Sequence, residues 1–287
     1  MMASFAVESE LAQARARTDR AIAVNILLPL ARRGHWEAAS RADVVVTFWG
    51  RPKRITERVW MHQCGSVGEA VAAQRAGADA VIAQGVEAGG HVRGTTAATR
   101  LLEQVIAALP RGYPVLSAGG IATAADVRQR IDAGATAAVL GTRFLMTEES
   151  WAHTAYKQRL LEGRETVLTE LFGMSWPAPH RVLWNEATER WLAKDRRGPA
   201  WVRAVNRLTA PLAARTPERL RAPVLRSQKI SRPLFSPQSV TREMPSRLLD
   251  VAPLYAGETV ARIHDIRPAE ELTRELAGVS PAGAGPP

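Results

Sequence analysis

Pro114-Val115-Leu116-Ser117-Ala118-Gly119-Gly120-Ile121, followed one helix later by Ala137-Ala138-Val139-Leu140-Gly141-Thr142-Arg143-Phe144, decides the fold. Each stretch is a short apolar run that ends in glycine and feeds a helix. An apolar run without alternation indicates a strand buried on both faces, as in a parallel sheet covered by helices. Upstream the same rhythm recurs. Ile22–Ile26, Val44–Phe48, Val59–His62 and Ala80–Ala83 read as strands, and 67–76, 98–109 and 124–133 as helices. Ser66 is placed to cap the first of these, and Gly77 and Gly134 to stop the first and third. Residues 8–18 read as the end of a helix. Strands alternating with helices at this spacing make an α/β fold. A doubly wound sheet and a (β/α)₈ barrel both satisfy the pattern. The barrel is preferred because glycines follow three successive strands, and no G-x-G-x-x-G follows any strand.

The 287 residues, 46% apolar and 23% charged, suffice for one large core. No apolar run reaches the roughly 18 residues of a spanning helix, and residues 8–20 are too charged for a signal peptide. The expectation is a cytoplasmic protein. The lone Cys64 excludes an internal disulfide framework, and the Cys and His residues lack metal-ligand spacing, so no metal is expected. The formal charge of +10 is uneven: residues 190–232 hold 12 Lys and Arg against 2 Asp and Glu. A solvated Arg-rich helical face is the plain reading of that segment. No nucleic-acid motif accompanies it, so no nucleic-acid or membrane partner is expected.

Beyond residue 150 the rhythm changes. Residues 151–163 and 165–172 read as helical, Trp176-Pro177-Ala178-Pro179 breaks the chain, and a helical segment carrying Trp184, Trp191 and Trp201 follows. Residues 211–253 read as irregular. The expected organisation is a partial α/β barrel over 1–150, a helical and irregular basic lobe over 151–253, a closing segment with a terminal helix over 254–279, and a disordered tail over 280–287.

Two Gly-led loops on consecutive strands, Ala118-Gly119-Gly120-Ile121 and Gly141-Thr142, suit a phosphate. Glycine lets backbone N–H groups approach an anion, a helix start adds partial positive charge, and barrels hold phosphate after their last two strands. Gln84-Gly85-Val86-Glu87-Ala88-Gly89-Gly90-His91 leaves the preceding strand at the same face. His91 there is a candidate base, because an imidazole titrates near neutral pH. Trp60, His62 and Cys64 share one face of a strand and read as inert. Asp126 and Asp132 read as solvated helix residues. His153 and His180 lie outside the barrel loops; His180 would border the pocket if the helical lobe folds over it, but a surface role is the expectation.

Together, Gln84–His91, Ala118–Ile121 and Gly141–Phe144 resemble the nitronate monooxygenase family, formerly the 2-nitropropane dioxygenases. The resemblance covers most of the chain. Arg181-Val182-Leu183-Trp184-Asn185 and Tyr255-Ala256-Gly257 are similar to the family's later segments, and Asn25 looks like its flavin-contacting Asn. The resemblance implies FMN and oxidation of alkyl nitronates or nitroalkanes by O₂. It implies cofactor contacts at Asn25, Gln84, Gly89, Gly90, Ala118, Gly119, Gly120, Gly141 and Thr142, with His91 as catalytic base. Only a small-molecule nitronate or nitroalkane and O₂ are implied as partners, and a homo-oligomer is allowed.

If the two Gly-led loops follow strands 7 and 8, the Ile22 segment is strand 3, so strands 1 and 2 and their Pro- and Met-containing loop are expected to be missing. Two alternatives stand beside the monooxygenase: an NAD(P)H-dependent flavin reductase of the enoyl reductase type, and an inactive truncated relative.

Overall fold

The computed structural model describes residues 4–174, 176–215 and 226–278. The expected tail over 280–287 and residues 216–225 of the Arg-rich segment lie outside the described residues. The chain divides into two compact units that interleave in sequence. The first comprises the chain up to Val86 with Arg93–Ser117 and Ala133–Thr136; the second comprises Glu87–Val92, Ala118–Asp132 and the chain from Ala137 onward.

In the first unit, β1 (Ala23–Leu27), β2 (Val44–Phe48), β3 (Val59–Cys64) and β4 (Ala80–Gln84) pair in parallel in chain order. The strand Val115–Ala118 lies beside β4. The expected strands therefore form, with ends displaced by a residue or two. Helix α1 is Ser4–Arg15, its Val7 and Leu11 buried, and α2 is Arg33–Ala39. Helix α3 (Val67–Arg75) starts at Ser66, whose hydroxyl accepts from Glu69 N at 3.3 Å, as its sequence position requires. Helix α4 (Ala98–Ala108) buries Leu101, Leu102 and Val105, the stripe read from their spacing. They pack with Trp60, Cys64, Ala70, Ala73, Val81 and Val115 into one core.

One device recurs in this unit. A side chain just before a strand accepts the N–H that opens the neighbouring strand. Asp43 Oδ2 accepts from Ile22 N at 2.8 Å, Asp79 Oδ2 from Trp60 N at 2.7 Å, and Thr136 Oγ1 from Val115 N at 3.2 Å. An edge N–H that the ladder leaves unpaired is thereby satisfied, and the parallel register is fixed. Asp43 is also bound by Arg15 at 2.6 Å, and its carboxyl lies below the usual range because of the Ile22 N–H and that guanidinium.

Trp60, His62 and Cys64 share a face of β3, as expected, and that face is fully buried. Trp60 Nε1 donates to Thr47 Oγ1 at 2.8 Å, and the same hydroxyl lies 2.8 Å from His62 Nδ1. Burial pushes the Cys64 thiol up to about 12, so it stays an unreactive thiol.

The second unit contains α5 (Ala124–Asp132), β7 (Ala137–Val139), where the Val115–Ala118 strand is β6, and the short helix α6 (Thr142–Leu145). Helix α7 (Thr154–Glu162) buries Tyr156 and Leu160. A three-stranded antiparallel sheet follows, in the order β5 (Gly90–His91), β9 (His180–Leu183), β8 (Thr166–Thr169). This corrects two sequence readings. Residues 165–172 are not helical but carry β8, and Trp184 follows a strand instead of lying in a helix. Thr166-Val167-Leu168-Thr169 has the β-branched alternation of a half-buried strand, and its partner β9 comes from beyond the Trp-Pro break.

Helix α8 (Glu186–Leu192) opens on Asn185. Its Oδ1 accepts from Thr188 N at 3.1 Å, and its Nδ2 donates to Leu249 O and Ala252 O at 2.8 and 2.9 Å. Helix α9 is Ala200–Arg215, so the segment read as irregular begins inside a helix. The Arg-rich stretch is not simply solvated either: Arg197 and Arg207 both bind Glu170, a carboxylate only 3% exposed. Asp126 is likewise not free in solvent; it binds Arg262 at 3.0 Å and accepts from Ala122 N at 2.8 Å. The terminal helix Ala269–Leu276 forms near its expected place.

The buried Thr47–His62 pair makes stability depend on pH. Burial pushes the His62 imidazole down to about 4 from the ordinary 6.5, so the folded protein holds it neutral. The unfolded chain binds a proton below about pH 6.5, the folded chain only near pH 4. This contribution is therefore fully present above pH 6.5 and is lost as pH falls from 6.5 towards 4, by on the order of 3 kcal/mol at most. Chemical denaturation between pH 7.5 and 4.5 should show a shallower loss for His62→Gln than for the parent. Equal slopes would remove His62 as a cause.

Candidate active site

The sequence-marked residues of the second unit gather around the loop Glu87-Val92. Gly89 is the point of closest approach. A Cβ built on it would meet Gly257 N at 2.5 Å and Ala256 C at 2.6 Å, so only glycine lets the two backbones touch. Glu258 N donates to Glu87 O at 3.0 Å and Gly257 N to Thr142 Oγ1 at 2.9 Å, which ties the loop, the 256–258 segment and the start of α6 together. The space beside Gly89 is thus occupied by main chain. Beside Gly90, at φ 76°, a Cβ would meet nothing within 4 Å.

His91 stands on β5 opposite His180 of β9, and Val92 N donates to Pro179 O at 2.9 Å. Its imidazole stacks on the Trp176 indole, with ring centroids 3.6 Å apart and planes 17° apart. His180 and Tyr255 flank it at 5.2 and 5.5 Å. Burial, aided by His180, holds the His91 imidazole well below its ordinary value. It is therefore a neutral acceptor at neutral pH.

The expected surface role of His180 is overturned. It is fully buried: Phe172 N donates to its Nε2 at 3.3 Å, and its Nδ1 lies 2.9 Å from Ala178 O. That pairing fixes the tautomer with the proton on Nδ1, and burial pushes its pKa down to about 4. Trp176 and Tyr255 were not singled out as site residues. In the sequence Trp176 belongs to a Pro-rich chain break and Tyr255 to a family-like segment, and neither position marks a site. A signal was present in the clustering of aromatic residues at the two segments that return to β5, but only the antiparallel pairing discloses it.

The Gly119–Gly120 turn is left-handed at both residues, with φ 98° and 74°. Two guanidinium groups attend it. Arg130, 6% exposed, donates to Gly119 O at 3.4 Å, and Arg262 donates to Gly120 O at 2.9 Å. A Cβ on Gly120 would sit 3.2 Å from Arg130 Nη2, whereas one on Gly141 would meet nothing within 4 Å. Arg262 is paired with Asp126, so the Arg130 guanidinium beside the Gly-built turn and the open space at Gly141 are what fit a phosphate. Thr142, 8% exposed, is held by Gly257 N, and Arg143 is drawn to Asp265 at 2.7 Å. Ala118, the last residue of β6, is buried. Asn25 and Gln84 belong to the first unit: Asn25 is an exposed residue of β1 that lines a concavity of about 490 Å³ with α1, and Gln84 closes β4, 5% exposed. Among the described residues no cluster of His, Cys, Asp and Glu suits a metal ion, and no helix is long and apolar enough to cross a membrane.

The chain is 34% identical over 193 residues to the (3aS,4S,5R,7aS)-5-hydroxy-7a-methyl-1-oxo-octahydro-1H-indene-4-carboxyl-CoA dehydrogenase of Mycobacterium tuberculosis, a match covering 63% of this chain and 53% of that protein. It is 41% identical over 98 residues to a nitronate monooxygenase of Pseudomonas aeruginosa, covering 32% of this chain and 28% of that one. The chain spans about half the length, or less, of the curated relatives it matches. Among solved structures, FabK from Thermotoga maritima superposes with a TM-score of 0.70 at 22% identity, covering 97% of this chain and 81% of that one; this is a likeness of fold. A nitroalkane oxidase from Streptomyces ansochromogenes gives 0.69 at 26% identity, over 96% and 84%. The family model for nitronate monooxygenase matches residues 52–278, which include the His91 loop, both Gly-led turns and the Trp176–Tyr255 surround: the chain belongs to the nitronate monooxygenase family.

Proposed function

We propose that this protein is an FMN-dependent oxidase of alkyl nitronates or nitroalkanes that uses O₂, with His91 as its base. The observation that carries the reading is the neutral, stacked His91 on a loop tied through Gly257 to Thr142 at the start of α6. Gly119, Gly120, Gly141 and Thr142 would hold the cofactor's phosphate, with Ala118 and Gly90 beside them; Arg130 supplies positive charge at the turn, where Arg262 is paired with Asp126. For Gly89 the cofactor contact would be made by backbone alone. For Asn25 and Gln84 a flavin contact is proposed on the resemblance alone. We also read the α/β strands β1 to β4, β6 and β7 as six of the eight strands of a (β/α)₈ barrel.

When bound, FMN supplies a two-electron acceptor that O₂ can reoxidise. His91 removes the α-proton of a nitroalkane: the C–H bond breaks, the proton goes to an imidazole nitrogen, and the electron pair moves into the nitro group to give the nitronate. The aromatic rings around His91 keep water from the imidazole, so the base stays neutral below the usual imidazole range. His180, with both ring nitrogens occupied, takes no proton in this step.

A second reading, an NAD(P)H-linked flavin oxidoreductase, is favoured by the relative whose name makes it a dehydrogenase of a carboxyl-CoA compound. Anaerobic mixing separates the two. Bleaching of the flavin by a nitronate supports the first reading, and bleaching by NADH or NADPH alone supports the second.

His91→Gln should retain flavin and slow nitroalkane turnover by about 10²- to 10⁴-fold, with a preformed nitronate affected far less. Equal losses on both substrates would give His91 a different task. Because burial lowers the His91 pKa, the acid limb of kcat/KM for nitroalkanes should fall below pH 6.5; a limb at or above 6.5 contradicts the assigned environment. Gly120→Ala forces a side chain into a left-handed residue beside Arg130, at roughly 1–2 kcal/mol of backbone strain. Its flavin content, read from the visible spectrum, should fall several-fold, while the thermal midpoint moves by only a few degrees. Undiminished flavin in this variant would dissociate the turn from phosphate binding.

A further inference from the structure

Resting on the reading of His91 as the base, we propose that Trp176 is a positioning residue that holds His91 by its ring face and stabilises the imidazolium formed when His91 takes a proton. The ring centroids are 3.6 Å apart at 17°, so the indole face and imidazole face are in direct contact. A cation over the face of an indole is attracted by the ring quadrupole, most strongly where water is excluded. Trp176 is only 8% exposed, so its partner is screened from solvent on that side.

The chain fixes this pair from both ends. Trp176 N donates to Gly173 O at 3.1 Å, and Ala178 N donates to Trp176 O at 2.9 Å, which sets the indole's turn. Three residues on, Pro179 O receives Val92 N, and His180 pairs with His91 across the antiparallel ladder. The indole is therefore carried by the loop that leads into β9, and the imidazole by β5, the strand that pairs with β9.

The other groups facing His91 are already committed. From β9, His180 holds Ala178 O and Phe172 N with its two ring nitrogens. From the closing segment, Tyr255 donates its hydroxyl to Pro237 O at 2.6 Å, and burial keeps that phenol protonated. Arg181, next to His180 on β9, sends its guanidinium to Glu258 at 2.9 Å. Neither His180 nor Tyr255 brings negative charge to the ring. The electron-rich surface in contact with His91 is the indole.

The test compares Trp176→Phe and Trp176→Leu with the parent protein and with His91→Gln. Proton resonances of the His91 ring, assigned by their loss in His91→Gln, should lie upfield through the indole ring current and move downfield in Trp176→Leu. Turnover is then measured on a nitroalkane, which requires proton removal, and on its preformed nitronate, which does not. Trp176→Leu should lower kcat/KM for the nitroalkane by about 2- to 30-fold more than for the nitronate. Trp176→Phe, which keeps a ring face, should recover most of that difference. Equal losses on both substrates, or a leucine variant as active as the phenylalanine one, would overturn the inference while a damaging His91→Gln leaves the base reading standing. A silent His91→Gln overturns both. Absence of an upfield shift in the parent protein removes the stack itself.

Discussion

The contact between Gly89 and the backbone of Ala256–Gly257 is the constraint on which the candidate site depends. With Gly257 N only 2.5 Å from the place a Cβ would occupy, the two segments are in direct main-chain contact. That approach brings Gly257 N onto Thr142 and Glu258 N onto Glu87, so one glycine aligns the His91 loop, the closing segment and the helix start that follows β7. Any side chain at residue 89 would separate three elements at once. Packed main chain does not yield gradually, and the cost of such a substitution is accordingly that of moving whole segments.

The second unit is organised around the same requirement. Its antiparallel sheet exists to return the chain from Trp176-Pro177 to His91, and Tyr156 donates to Tyr255 O at 2.7 Å to hold the closing segment in place. The core beneath, with Leu160, Leu171, Phe172, Val182 and Phe235 all buried, gives this sheet a rigid floor. The buried His91 ring lies in a dry environment, and a dry environment needs polar neighbours whose own bonds are complete. His180 meets that demand: it is a buried polar residue with both nitrogens paired, serving as a wall of the site.

The first unit solves a different problem. Its strands are parallel, and three of them are opened by an accepting side chain supplied from the neighbouring strand's approach. Asp43, Asp79 and Thr136 provide that acceptor for β1, β3 and β6. This accounts for a polar residue just ahead of an apolar run, which composition alone would leave as a turn residue. The Trp60–Thr47–His62 network shows the reverse case, polar atoms inside a sheet core that are tolerated because they bond one another.

The sequence by itself determined the α/β alternation, the β1 to β4, β6 and β7 strands, the Ser66 cap, the stripe on α4 and the loops that carry His91, Gly119-Gly120 and Gly141-Thr142. All of these rest on local signals, namely apolar runs, helical spacing and glycine at strand ends, and such signals act over a few residues. Tertiary structure alone decided the fate of Thr166–Thr169, of His180 and of Trp176. A two-sided strand such as β8 is stabilised by a partner that lies beyond the Trp-Pro break, and short-range propensity did not outweigh the helical reading there. The partners of His180, Ala178 O and Phe172 N, are main-chain groups close by in sequence, and main-chain groups leave no mark in residue types; its burial becomes visible only once β9 is paired on both sides. Trp176 became a neighbour of His91 for the same reason: antiparallel pairing joins residues far apart in the chain, and periodicity carries no record of which segments will meet.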